Sequence, residues 1–243
     1  MPRDLTRRDA LKLGGMALSA AVCSPNSIGA DMALTDAKDA FDHILVGSPN
    51  LEAAIDWFEK KTGVRPVVGG RHPGRGTRNA LASLGKPHYL ELLAPDPEQP
   101  NVDTPRLRVF RSLSLPAPYT WAAATHDMEA TRRAAEKAGL KFEGPTPGSR
   151  KRPDGRLLEW SFLTPADDLN GLLPFFIEWG AQSLHPSADS PQGCTLKALQ
   201  LISPDAKKLE AALRIFGIRA DVRHGAAPKL TVSLNTPKGV LEL

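Results

Sequence analysis

Two ionisable residues interrupt apolar stretches of this chain. His43 stands in Phe41-Asp42-His43-Ile44-Leu45-Val46. In the alternation of an extended strand it shares a side with Phe41 and Leu45. Glu91 stands in Tyr89-Leu90-Glu91-Leu92-Leu93. An imidazole or a carboxylate moved from water into such surroundings needs a partner. A divalent metal would supply one partner to both. A direct His–Glu hydrogen bond, or a solvated sheet face, would satisfy them as well. Between the two lies Gly69–Asn79, which carries Arg71, His72, Arg75 and Arg78 among glycines and ends on Asn79. Glycines let a backbone approach a ligand closely, and guanidinium groups fork onto carboxylate or phosphate. The chemistry suggested is recognition of an anionic group, with a solvated hairpin loop as the alternative. The pattern GxxxxGK[ST] is missing, so a nucleotide phosphate loop is not supported. GxSxG, HExxH and a Ser/His/Asp spacing are missing too.

The elements that must position these residues read β-α-β-β-β over 40–95. A strand opens at Phe41. Gly47-Ser48-Pro49-Asn50 is a turn, and Leu51–Lys60 is a helix stopped near Gly63. A short strand, the Gly/Arg-rich loop and two more strands follow. Residues 119–180 repeat the order, with Leu51-Glu52-Ala53 in step with Met128-Glu129-Ala130. In that alignment Glu178, in Phe175-Phe176-Ile177-Glu178-Trp179, falls on the closing strand as Glu91 does, and Thr120 falls opposite His43. The stretch Gly144–Gly155 reads as the second loop. Its Arg150-Lys151-Arg152 run either faces the same mouth or is a surface charge run. A shorter third copy spans 194–243, where Ala198 takes the place of His43. Self-similarity at this period is a strong architectural signal. The third copy offers a surface for pairing two chains as a homodimer.

Bulk properties narrow the classes. The 243 residues are 41% hydrophobic and 24% charged, with net charge +4, ordinary values for a globular protein. No basic run is laced with aromatics, so nucleic acid has little support as a partner. Cys23 and Cys194 lie in no metal-binding spacing. Residues 1–33 read as an export leader and tail. The run Thr6-Arg7-Arg8-Asp9-Ala10-Leu11-Lys12 resembles a bacterial twin-arginine signal, and Leu11–Val22 is too short for a stable membrane span. This implies a periplasmic protein, with a cytoplasmic one as the alternative. Trp121, Trp160, Phe176 and Trp179 are candidates to line a pocket, with core packing as the alternative. His88, His126, His185 and His224 receive no role.

The doubled β-α-β-β-β order resembles the vicinal oxygen chelate superfamily and, more narrowly, the glyoxalase-like domain family. The stretches that carry the likeness are Phe41-Asp42-His43-Ile44, Gly70–Asn79, Tyr89-Leu90-Glu91-Leu92 and Pro174–Gly180. The resemblance covers about residues 40–186. It implies an α+β fold in which two modules curl into a cup around one divalent metal, held by the first and last strands of each module. By position the ligands are His43, Glu91 and Glu178, and Thr120 is a poor fourth. One imidazole and two carboxylates suit Zn, Mn, Ni or Mg. The resemblance then implies an isomerase or lyase acting on a small carbonyl substrate. The metal would polarise the carbonyl, and Glu91 or Glu178 would act as base. Arg71, His72, Arg75, Arg78, Asn79 and Trp121 are the substrate-binding candidates. The alternative on the same fold is a non-catalytic protein that binds a small molecule. Ring-cleaving oxygenase chemistry has less support, because two imidazoles and one carboxylate are not met on the strands; His72 would supply the second imidazole only if its loop folds inward.

Overall fold

The computed structural model describes residues 34–152 and 154–243. The expected leader, residues 1–33, therefore lies outside the described residues. The described residues fall in one compact unit. No helix among them is long and apolar enough to cross a membrane.

The chain begins with a short strand β1 (Thr35–Asp36) and one helical turn α1 (Ala37–Ala40). The first module is β2 (Phe41–Gly47), α2 (Leu51–Thr62), β3 (Val67–His72), β4 (Thr77–Ser83) and β5 (Tyr89–Pro95). Local chemistry explains where α2 starts and stops. The Asn50 side chain accepts a hydrogen bond from the Ala53 amide at 2.8 Å, a cap of about 1 kcal/mol. At the other end Gly63 takes φ +82° and returns its amide to Glu59, a left-handed stop that glycine adopts without a Cβ clash. Helix α3 (Pro105–Ser112) follows, capped by Thr104. The second module is β6 (Ala117–Ala124), α4 (Met128–Lys137), β7 (Phe142–Lys151), β8 (Leu157–Pro165) and β9 (Phe175–Trp179). Asp127 caps α4 as Asn50 caps α2.

The two modules share one eight-stranded sheet in the order β3-β4-β5-β2-β6-β9-β8-β7. Each half places its opening strand at the centre, parallel to its closing strand. The opening strands pair antiparallel across the middle, with His43 beside Ala122 and Leu45 beside Thr120. The sheet curls until its edge strands β3 and β7 lie against each other. Arg150 on β7 latches them by donating to the Gly69 carbonyl on β3. A Cβ on Gly69 would fall 2.4 Å from Asn79 Oδ1 and 3.2 Å from the Arg150 guanidinium. The glycine is needed above all to admit the Asn79 side chain, where the sequence suggested approach to a ligand.

Both expected loops are mostly strand. The first shrinks to a turn at 73–76 between β3 and β4. Most of Gly144–Gly155 belongs to β7, which runs to Lys151. The third unit is β10 (Thr195–Ser203), α5 (Ala206–Ile215), β11 (Ile218–Arg219), β12 (Asp221–His224), β13 (Lys229–Thr236) and β14 (Gly239–Glu242). Its element succession echoes the modules, but its sheet order is β12-β10-β13-β14. There the opening strand lies parallel to β12 instead of to the last strand. Its buried Leu199, Leu201, Leu209, Leu213, Val232 and Leu234 join the same apolar core as Phe41, Phe58, Leu90 and Trp121. Burying apolar surface drives folding at roughly 25 cal/mol per Å², so this unit and the modules stabilise one another.

Candidate active site

The inner face of the curled sheet encloses a cavity of about 140 Å³. His43 on β2 and Glu91 on β5 form its floor, 2% and 8% exposed. Their strands are parallel neighbours, with His43 beside Tyr89 and Leu45 beside Glu91, so both side chains emerge on one face. His43 Nε2 lies 3.7 Å from Glu91 Oε2. This is beyond hydrogen-bonding distance, and the pair faces a common point in the cavity.

Each member is gripped from behind. His43 Nδ1 lies 2.6 Å from Asp42 Oδ1, and its ring stacks on Tyr89 with centroids 4.4 Å apart. Asn79 Nδ2 donates to Glu91 Oε1 at 2.6 Å. Asp42 is 3% exposed. Its second oxygen meets Trp179 Nε1 at 3.0 Å and His185 Nε2 at 3.1 Å. Burial alone would raise the pKa of this carboxyl. The hydrogen bonds from His185 and His43, with the charge of both rings, outweigh burial and hold it at about 2. An ionised Asp42 can only accept, so a proton of the His43 ring sits on Nδ1, and Nε2 faces the cavity. Between Nε2 and the Glu91 carboxylate there is then a place for one proton, or for a ligand that donates one.

His72 lies on the far side of Glu91, its Nε2 3.9 Å from Oε1, and its Nδ1 meets Thr77 Oγ1 at 2.9 Å. Burial lowers the pKa of His72. Glu91 opposes that shift, while Arg150, Arg75 and Arg106 reinforce it. The ring is therefore neutral at pH 7. Burial and the charges of Asp42 and Glu91 push the Tyr89 phenol well above its usual value, so Tyr89 stays a neutral platform.

Four of the expected residues do not reach the cavity. Glu178 is the first correction. Register carries the cavity face from His43 to Ala122, and from Ala122 to Phe175. Alternation then puts Phe175, Ile177 and Trp179 inside and Glu178 on the opposite face, beside Ser161. Trp121 is the second. It pairs with Ile44, is fully buried in the core, and donates its Nε1 to the Leu172 carbonyl at 2.9 Å. Arg71 and Arg78 are the others among the site candidates, and they turn outward onto Glu98 and Glu52. Phe176, a candidate for the pocket wall, is instead buried in the apolar core. The metal set of His43, Glu91 and Glu178 is therefore not assembled. Among the described residues no group of three or more His, Cys, Asp or Glu side chains is arranged to hold a metal ion. The donors that face one another are the imidazoles of His43 and His72, on either side of the Glu91 carboxylate. They are not arranged as the three-ligand site expected for Zn, Mn, Ni or Mg.

His43, Glu91, His72, Arg75 and Asn79 do line the cavity, together with Thr120. The sequence reading missed Asp42, Arg106 and His185, and left Arg150 open. His185 comes from a stretch read as a linker, which packs back on the first module through its 3₁₀ turn Pro186–Ala188. Ser83 Oγ donates to the Ser187 carbonyl at 3.0 Å. The adjacency of Asp42 to His43 was a signal within reach. The sheet register shifts between Phe41 and His43, and this irregularity accompanies the placement of both side chains in one network.

Comparison with known proteins bears on the fold. The model of a family described as a glyoxalase-like domain matches residues 41–216. A solved hypothetical protein from Staphylococcus aureus is 16% identical, with a TM-score of 0.63 over 83% of this chain and 97% of its own. Methylmalonyl-CoA epimerase from Mycobacterium tuberculosis is 19% identical, with a TM-score of 0.42 over 61% and 92%. A variant of the Streptomyces coelicolor methylmalonyl-CoA epimerase, in complex with 2-nitronate-propionyl-CoA, is 21% identical, with a TM-score of 0.45 over 61% and 99%. Comparison with curated proteins finds no match.

Proposed function

Because the chain belongs to the glyoxalase-like domain family, we propose that it is an isomerase or lyase that moves a proton beside the carbonyl of a small substrate. The observation that carries this reading is the His43–Glu91 pair. Its members face each other at 3.7 Å on the cavity floor, one oriented by Asp42 and the other by Asn79.

In this reading the Glu91 carboxylate takes the proton from the carbon next to the carbonyl. His43, protonated at Nε2, donates to the carbonyl oxygen as negative charge develops there. With an α-hydroxy carbonyl substrate the product of that step is an enediol. The carboxyl group of Glu91 then returns its proton to the former carbonyl carbon, while the now neutral His43 Nε2 takes the proton of the neighbouring hydroxyl. That hydroxyl becomes the new carbonyl, so both groups end as they began. Asp42 stabilises the imidazolium and fixes its orientation, and Tyr89 holds the ring plane. The apolar wall of Trp160, Phe162, Phe175, Ile177 and Trp179 excludes water from the reacting carbon, where a dry site strengthens each charge interaction. No step is routed through a metal, since among the described residues His43, His72 and Glu91 are not arranged as a three-donor site.

The same apolar wall favours a second reading, a protein that binds a small molecule without turning it over. One experiment separates them. Small α-hydroxy and 2-oxo carbonyl compounds are incubated with the protein in D₂O, and NMR follows exchange of the hydrogen beside the carbonyl. Exchange that disappears in Glu91→Gln supports the enzyme. Ligand-induced shifts without exchange support binding alone. Export by the twin-arginine-like run is a further proposal, tested by fractionating cells that express the full chain.

A further inference from the structure

The cavity rim holds two cations without counter-ions. Arg75, at the tip of the β3–β4 hairpin, rests its guanidinium on the Phe162 ring, 4.5 Å from the centroid. Arg106, in the first turn of α3, lies over Tyr119 at 5.4 Å. Both side chains line the cavity. Carboxylates are not scarce around them. The outward-facing neighbours Arg71, Arg78, Arg108 and Arg111 pair with Glu98, Glu52, Asp103 and Asp103. Among the described residues, Arg75 and Arg106 have no such partner within ion-pairing distance. Aromatic faces position a guanidinium without neutralising it. The cavity as a whole carries three guanidinium groups, from Arg75, Arg106 and Arg150, against two carboxylates, Glu91 and Asp168. Burial and the nearby Arg106 charge both lower the pKa of Arg75. Two like charges thus line one cavity, each resting on an aromatic ring.

We propose that Arg75 and Arg106 form a subsite for a carboxylate of the ligand, which places its reacting carbonyl over His43 and Glu91. The inference rests on the functional reading in taking this cavity as the substrate's. Guanidinium forks match a carboxylate in two parallel hydrogen bonds. The geometry assigns the ligand to small oxo- or hydroxycarboxylic acids, whose anionic end stays at the wetter rim while the carbonyl reaches the floor.

The test is calorimetric titration of the full chain with pyruvate and malonate, with inorganic phosphate, and with neutral hydroxyacetone. The proposal expects the carboxylates to bind, with affinity falling as salt is raised. It expects at least a tenfold loss in Arg75→Gln and in Arg106→Gln, with the melting temperature held, and partial recovery in Arg75→Lys. Glu91→Gln should keep carboxylate binding while losing exchange. Equal binding of carboxylates by wild type and the glutamine variants, no binding by wild type, or binding of phosphate alone would each overturn the subsite. Exchange on hydroxyacetone that is untouched by the arginine variants, with no carboxylate binding, would overturn the subsite and leave the enzyme reading standing. Carboxylate binding without exchange on any compound would do the reverse.

Discussion

The two modules of the central sheet share an element order and a backbone plan, yet they line the cavity with different chemistry. The first contributes His43, His72, Asn79 and Glu91, with Asp42 behind them. The second contributes Trp160, Phe162, Phe175, Ile177 and Trp179, with Arg150 as its one cation and Asp168 as its one carboxylate. The closing strands show the contrast best. On β5 the inward residue between Tyr89 and Leu93 is a carboxylate, while on β9 the inward residues are apolar throughout. Duplication supplied two walls, and the imidazoles and carboxylate that face one another, His43, His72 and Glu91, all lie on one of them. A cup with one reactive half has no need of symmetric ligands, which accounts for the missing three-donor set.

This contrast can be broken in several ways. The largest expected effect is on the reactive half. His43→Ala should lower exchange by about 10²–10⁴-fold, the usual range for a general acid or base, while leaving α-helical content unchanged by circular dichroism. Asp42→Asn comes next. It removes the charge on which His43, Trp179 and His185 converge, and should cost about 3 kcal/mol in denaturant unfolding, as breaking a buried charged network does. The pH dependence follows from the same residue. Its folded pKa of about 2 lies below the ordinary 3.8. Its stabilising contribution is therefore fully present above about pH 4 and is lost as pH falls toward 2. Acid melting curves of wild type and Asp42→Asn should converge in that window. Least is expected from a chelator. Dialysis against EDTA should leave exchange within about twofold of the untreated protein, because His43, His72 and Glu91 are not arranged around a common ion.

Sequence pattern reached the reactive half far better than the apolar half, for a physical reason. His43 and Glu91 stand out because each breaks an apolar strand face, and alternation then fixes which way they point. On β9 the run Phe175-Phe176-Ile177 is apolar on both faces, so alternation carries no signal. A one-residue slip in alignment sends every side chain to the other side of the sheet. That slip put Glu178 inside, and Ala-rich β6 allowed the same error for Trp121. The succession of elements was readable from the turn that ends on Asn50, from Gly63 at the end of the first helix, and from the return of Leu51-Glu52-Ala53 as Met128-Glu129-Ala130. The strand order of the third unit was not, because one succession serves two different sheets. Arg150 and His185 were hidden by their surroundings. The first sits in a Pro/Gly-rich stretch that nevertheless extends as β7, and the second in a turn-rich segment that folds back on Asp42 from a distant part of the chain. Distance of that kind leaves no trace in local periodicity.

The central claim is that a single carboxylate, contributed by the first module alone, does the proton transfer. The direct measurement compares Glu91→Gln with Glu178→Gln in the D₂O exchange assay on the same carbonyl compound. The account predicts exchange reduced by about 10²–10⁴-fold in the first and unchanged within about twofold in the second, with both proteins folded. Comparable losses in the two variants, or a loss in Glu178→Gln alone, would contradict it.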